Sequence, residues 1–416
     1  MIKREDENYS VHLTYLFERY IKLTFLINSF KKLKSVVPPR KHSFSFLVSE
    51  AASLEGSYGL VLKFHLFIAE SVSDCRATVN ALNTLVSCEA VKQKRPRSLL
   101  VIVNPYGGKK AALRIWRKHV APIFSLARIF FEVCVTEYSG HAKDIVYKSN
   151  LKNYDGLVCI GGDGTFNEVL DAVISVDSDI CLSPLPGGST NCLAYTTCGV
   201  ATPVTSALHI VLGNHRPLDC AQVFNQGALV KHVVTMMSYG FLGDVMRTSE
   251  KYRWMGPSRY DYAGFQRVMT PEFYYGRISF KRAVPLNDSE TDREGWTHVE
   301  GEHLCVNIAV CRCQCAKCPG GMAPQNKLDD GIADLILVGK CSRTAYIHHL
   351  LKLSDINEDH FNFKFVKHER ITELKYNALG DTSSCWNIDG ELLFTSNLHL
   401  IMKKKLIEIF APPYIQ

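Results

Sequence analysis

One carboxylate in the sequence is set where it could do chemistry. Asp163 stands between glycines in Gly161-Gly162-Asp163-Gly164. Little side-chain cover can surround it there, so it could take a proton from a hydroxyl or hold a metal ion. The structural alternative is a turn aspartate or a helix N-cap, because a helical pattern begins just after it. Glu168 lies five residues on, too far round that helix to be a capping-box partner. Three further segments share the polar or glycine-rich character: Asn104-Pro105-Tyr106-Gly107-Gly108, the stretch 136–141, and Pro186-Gly187-Gly188-Ser189-Thr190-Asn191. Glycines let backbone N–H groups approach an anion closely, and helix N-termini add partial positive charge. A tight turn would explain any one of these loops; four together predict a polyphosphate ligand. Lys109 and Lys110 could neutralise phosphate, or simply begin an exposed helix.

The elements that must position these residues are legible in the hydrophobic pattern. Apolar, β-branched runs at 98–103, 129–135, 156–160 and 180–185 read as strands, and helical spacing follows each. The four polar segments fall at the carboxyl ends of those strands. Alternating strands and helices imply a parallel, doubly wound sheet, in which ligands bind along that edge. From about 205 to 410 short strand-like runs dominate, at 233–237, 277–280, 305–310, 333–338, 361–366 and 398–402, and predict an antiparallel second domain. The expected class is therefore α/β plus β, with divisions at 1–92, 96–200 and 201–416. In the first 90 residues a strand and a helix seam fit 16–30 equally well, and 71–86 reads as a helix.

Other candidates are weaker on spacing alone. Arg253 and Arg259 stand six apart among aromatics and could clamp phosphate, although a solvated surface explains them as well. Asp389-Gly390-Glu391 reads as a common hairpin turn. Cys311, Cys313, Cys315 and Cys318 put four thiols in eight residues. Two of those spacings are tighter than a zinc finger's, so reduced thiols are the default and a metal site the alternative. The basic, apolar stretch 340–352 fits a calmodulin-type or membrane-surface helix, with an ordinary surface helix the simpler reading.

Composition narrows the field. The chain has 416 residues, 46% hydrophobic and 21% charged, with net charge +7. That is globular composition and excludes a disordered or fibrous protein. Mild basicity suits a phosphate ligand or a membrane surface. No apolar run reaches the roughly 18 residues of a membrane span, and no signal-peptide core is evident, so a cytosolic protein with reduced cysteines is expected.

Taken together, Gly161 to Thr165 with Asn167-Glu168, the Asn104-Pro105-x-Gly107-Gly108 loop and Gly188-Ser189-Thr190-Asn191 resemble the diacylglycerol kinase catalytic-domain superfamily of lipid kinases. Within it the chain is most similar to the ceramide kinases, through Tyr239-Gly240-Phe241-x-Gly243-Asp244, Glu250 to Trp254, Arg259-Tyr260-Asp261, Lys340 to Arg343 and Trp386 to Glu391. The resemblance implies ATP and Mg²⁺ as co-substrate and cofactor, ceramide or a related lipid as acceptor, and no nucleic-acid partner. It implies a peripheral location on internal membranes, the Golgi or plasma membrane among them. It assigns Asp163 as catalytic base, with Gly161, Gly162 and Gly164 beside the acceptor. Nucleotide contacts would be Asn104, Pro105, Tyr106, Thr136, Glu137, Tyr138, Ser139, Gly140, Glu168, Gly188, Ser189, Thr190, Arg253, Arg259, Asp389, Gly390 and Glu391. Sphingosine kinases carry an acidic residue seven positions before the first of the two arginines. Met246 stands there in this chain, which suits an acylated, uncharged amine, with Asp244 two residues away. Sphingosine or diacylglycerol phosphorylation is the alternative, as is a non-catalytic, ceramide-kinase-like lipid binder. The N-terminal region resembles a short pleckstrin-homology domain. Lys110 replaces the first loop's third glycine, and Gly187 an alanine.

Overall fold

The computed structural model of the chain describes residues 95–284, 291–380 and 383–412, together with the backbone of three strands nearer the amino terminus. Those strands, β1 (Thr24–Leu26), β2 (Ser43–Leu54) and β3 (Ser57–Ile68), form an antiparallel sheet of their own. The expected pleckstrin-homology-like region, including the helix over 71–86, otherwise lies outside the described residues.

Four parallel strands, β4 (Ser98–Val103), β5 (Phe130–Val135), β6 (Gly156–Gly161) and β7 (Cys181–Pro186), lie in the order β5-β4-β6-β7. Continuous apolar strands suit a sheet covered on both faces. Leu100, Ile102, Leu157 and Cys159 enter one core, and Leu99, Val101, Val158 and Ile160 the other. Six helices cover those faces: α1 (Ala112–Ile115), α2 (Ala121–Leu126), α3 (His141–Lys148), α4 (Asp163–Ser175), α5 (Cys192–Cys198) and α6 (Pro203–Leu212). A π-helical turn, Trp116–Val120, joins the first two. The chain passes from β4 to β5 on one side and then crosses to β6 on the other. The direction of winding therefore reverses between β4 and β6, and the loops leaving those strands spread apart into a crevice.

The remaining elements are mostly antiparallel. They run β8 (His215–Asn225), β9 (Ala228–Val233), β10 (Met236–Gly240), α7 (Phe241–Ser249), a 3₁₀ segment Glu250–Ser258, and α8 (Arg259–Met269). Then follow β11 (Tyr274–Arg282), β12 (Thr297–Ala309), β13 (Ala333–Gly339), α9 (Arg343–Leu353) and β14 (Val366–Ala378). The last strands are β15 (Trp386–Ile388), β16 (Glu391–Leu393) and β17 (Asn397–Phe410). β12 and β14 each pair with both β11 and β13, so these four strands close on themselves. Tyr239, Tyr376 and Trp386 fill the core of this half, with ring centroids 4.9–5.2 Å apart.

The two halves share one 14-stranded sheet. β17 makes the join: it runs antiparallel to β14 and β8, and its end lies parallel to β7 through Ile409 and Leu182. Among the described residues no helix is long and apolar enough to cross a membrane.

Two expected strands differ. The run 233–237 is broken, because β9 ends at Val233 and β10 starts at Met236, while the amides between them turn to a buried carboxylate. The run 361–366 is irregular up to Val366. Its aromatic rings are spent on histidines: Phe361 stacks on His368 at 4.2 Å, and Phe363 packs edge-on against His349 at 5.5 Å.

Ile409 is fully buried at the β17–β7 join. Ile409→Ala should cost about 2–5 kcal/mol, read as a fall in the denaturant midpoint; a loss below about 1 kcal/mol would show that the join carries little.

Candidate functional site

Asp163 opens α4 directly after the β6 turn. Its carboxylate caps a different helix: Oδ2 accepts from the Cys192 N–H and Oδ1 from the Leu193 N–H, both at 3.0 Å, at the start of α5. The acid thus lies between two helix N-termini; the residue is half-buried and its carboxyl is shielded from solvent. An ionised carboxylate has about four acceptor positions, so two amides leave room for a hydroxyl proton. Burial pushes its carboxyl above the ordinary 3.8, against the pull of the Leu193 and Cys192 amides.

The glycines around it are required by backbone contact. A Cβ on Gly188 would fall 2.4 Å from Gly162 Cα, and one on Gly108 would fall 2.6 Å from the Gly188 carbonyl carbon. Three strand-end loops therefore touch main chain to main chain, which no other residue type permits. Lys110 holds a left-handed φ of 54°, the conformation a glycine at that position would favour. Asn104 ties the loops at the crevice: its Nδ2 donates to Thr165 Oγ1 at 2.7 Å, and its N–H to the Ile160 carbonyl at 2.9 Å.

Beside this knot a cleft of about 320 Å³ is lined by Asn104, Tyr106, Thr136, Glu137, Tyr138, Ser139, Thr165 and Glu168. Seven of these eight are expected nucleotide contacts; Thr165 is the addition. Tyr106 and Tyr138 present largely exposed rings at its rim, able to stack on a base. Thr136 Oγ1 is buried with no hydrogen-bond partner among the described residues, so a donor or acceptor arriving in the cleft would satisfy it. Ser189 and Thr190 are exposed in the adjoining loop. A larger cavity, about 1080 Å³, opens at the opposite edge of the sheet, among residues such as Arg97, Asn150 and Asp179. It holds none of the glycine loops, so volume alone does not locate the chemistry.

The terminal turn Asp389-Gly390-Glu391 is not part of that cleft lining. Asp389 is buried. Its carboxylate accepts from the Val234, Thr235 and Met236 amides at 2.9–3.0 Å, from Thr235 Oγ1 at 2.5 Å and from Asn167 Nδ2 at 2.8 Å. Those five donors leave it a structural hub that fastens α4 to β10. Glu391 keeps the outward position, 2.9 Å from Lys231 Nζ, which also reaches Asp171 at 3.2 Å. Glu168 accepts from the Gly140 N–H at 3.3 Å. Burial raises the Glu168 carboxyl, with Glu391 adding repulsion and Lys231 opposing it. Lys231 is a member of this cluster that the sequence did not announce, since it lies 160 positions from Glu391.

Arg253 and Arg259 converge on one carboxylate, Glu250; Arg259 does so at 3.0 Å. Neither lines the cleft. The four expected thiols are not brought together. Cys313 has a left-handed φ of 55°, which breaks the strand alternation, and Cys315 pairs with Cys318 backbone to backbone across a turn. Cys311 and Cys313 instead meet Cys192, their sulfurs all within 4.8 Å. Cys313 spends its S–H on the Thr235 carbonyl at 3.0 Å, so it is held as a thiol. Three sulfurs fall one short of a tetrahedral structural zinc site.

Residues 98–223 match the diacylglycerol kinase catalytic domain and residues 235–383 the ceramide kinase C-terminal domain. A diacylglycerol kinase from Bacillus anthracis str. Sterne has the same fold, with a TM-score of 0.56 at 17% identity over 76% of this chain and 98% of that one. The class is that of the lipid kinases. A ceramide kinase of Mus musculus is 32% identical over 76% of this chain and 75% of its own, and Arabidopsis thaliana sphingosine kinase 1 is 32% identical over 63% and 60%. The chain belongs to the ceramide kinase family.

Asp389 gives this site a pH signature. Burial pushes its carboxyl up from 3.8 to about 6. A carboxyl raised on folding binds its proton more tightly in the folded state, so the stability it contributes is full below 3.8 and is lost as pH rises through about 6. Asp389→Asn should flatten that stretch of the stability curve, measured by denaturant titration between pH 4 and 7.5. An unchanged slope would assign the effect elsewhere.

Proposed function

We propose that the protein transfers the γ-phosphoryl group of ATP to the primary hydroxyl of ceramide, with Asp163 as general base. The observation that carries this reading is the Asp163 carboxylate, fixed by two amides at the glycine loops beside the cleft, in a chain of the ceramide kinase family. Asp163 takes the hydroxyl proton, the acceptor oxygen forms a bond to the γ-phosphorus, and the bond from that phosphorus to the bridging oxygen breaks. ADP leaves with the electron pair. Burial raises the Asp163 carboxyl, which strengthens its ionised form as a base.

The nucleotide would occupy the cleft, its base against Tyr106 or Tyr138 and its phosphates near the Gly188-Ser189-Thr190 loop and the start of α4, where helix N–H groups favour anions. Glu168 and Glu391 are the carboxylates suited to hold magnesium, which when bound offsets triphosphate charge. Lys231 keeps Glu391 in place.

The choice of ceramide over a sphingoid base rests on Met246 and Asp244. An acid near the acceptor would be needed to meet a free ammonium. Met246 supplies none, and Asp244 is committed inward to Arg247 at 2.9 Å, Tyr274 at 2.6 Å and Ser384 at 3.0 Å. An uncharged amide avoids an unpaired buried charge.

Presenting ceramide, sphingosine and diacylglycerol in detergent micelles with labelled ATP tests the substrate. Ceramide should be the best acceptor; finding it the poorest would overturn the assignment. Asp163→Asn should lower turnover by about 10²–10⁴ with ATP affinity nearly unchanged, because the base acts in the transition state. Retained turnover in that variant would point to a different base.

A further inference from the structure

We propose that the helical arm from Glu250 to Met269, with α9 packed on it, is the face by which the protein rests on an anionic lipid bilayer. The inference rests on the lipid-kinase reading and names the surface from which the acceptor is drawn.

The arm inverts the usual order of a surface helix, which turns its apolar stripe inward. On α8, Tyr262, Phe265 and Met269 recur at i, i+3 and i+7 and are exposed, Phe265 by 65%, whereas Ala263 is the buried residue. Trp254, in the preceding 3₁₀ segment, is 82% exposed. α9 lies against α8. It turns Tyr346, His349 and Leu350 to the core, as an ordinary surface helix does, and leaves Ile347 and Leu351 in solvent, the latter 63% exposed. Large apolar side chains gathered on neighbouring elements mark an interaction surface. Tryptophan and tyrosine are the residues that settle at a membrane–water boundary.

Charge selects the occupant. Residues 250–272 carry four Lys or Arg against three carboxylates, and 340–353 carry three against none, a net of +4. The three carboxylates are paired, Glu250 with Arg253 and Arg259, Asp261 with Lys317, and Glu272 with Arg267, and two of the cations are paired in turn, Lys340 with Glu302 and Lys352 with Glu358. With those partners included, eight Lys or Arg face five carboxylates, an excess of positive charge that suits an anionic leaflet. The face is also continuous with the chemistry. Gln314 donates its N–H to Thr196 of α5, the helix that Asp163 caps, at 3.2 Å, and three residues on Lys317 pairs with Asp261 of α8.

Trp254 is its own reporter, since Trp116, Trp296 and Trp386 are buried. The full chain, without ATP, is mixed with vesicles of phosphatidylcholine and phosphatidylserine. The tryptophan emission should shift to the blue and be quenched by brominated acyl chains, and Trp254→Phe should abolish both changes. The double variant Trp254→Ala, Phe265→Ala should lower vesicle affinity about tenfold or more, while Phe394→Ala, an exposed ring elsewhere, should leave it unchanged. Three results would overturn the proposal: vesicle binding with no change in Trp254 emission, a double variant that binds as the parent does, or a vesicle-free dimer in which Trp254 is already shielded. Binding here needs no turnover. A kinase assay on a water-soluble short-chain ceramide therefore separates failure of this face from failure of the kinase reading.

Discussion

The site depends on one shared carboxylate. Asp163 begins one helix and caps another, so the loop after β6 and the loop after β7 are held by the same side chain. The glycine contacts follow from that closeness: two main chains drawn to one acid leave no volume for a Cβ between Gly162 and Gly188. In the proposed chemistry the same two amides orient the base. Helix capping and proton abstraction are then one arrangement, and the acid needs no separate scaffold.

A second buried acid does for the antiparallel half what Asp163 does for the parallel one. Asp389 gathers three consecutive amides, a hydroxyl and the Asn167 side chain. Asn167 belongs to α4, four residues after Asp163. The helix that carries the candidate base is therefore pinned to β10, and the cleft wall bearing Glu168 is fixed relative to Glu391 and Lys231. A family motif near the carboxyl end thus contributes through anchoring in its first residue and through outward chemistry in its last.

What could be read in the sequence was what is local. The four parallel strands and their terminal glycine loops were legible because each depends on a short window of apolar runs and turn residues, while the seven expected cleft residues follow from the resemblance to the lipid kinases. Cys192, Lys231 and the inward turn of Asp389 were not legible, because each is defined by partners far along the chain; Asn167 and Asp389 are 222 positions apart. The thiol cluster was misgrouped for a related reason: one left-handed residue at Cys313 undid an alternation that assumed a strand. The 361–366 run was read as a strand because aromatics favour strands, while here they stack on histidines supplied by α9 and β14.

The join made by β17 bears on how the molecule is built during synthesis. This strand follows every partner it pairs with, β7, β8 and β14. Until it leaves the ribosome, the parallel sheet keeps β7 as an open edge, and such edges invite pairing with other chains. Proline at 184 and 186 in β7 removes two amide donors from that edge, which blunts it while the nascent protein waits. A ribosome that stalls before β17 would therefore release a species with its nucleotide loops formed and its central sheet unsealed, a natural client for chaperones.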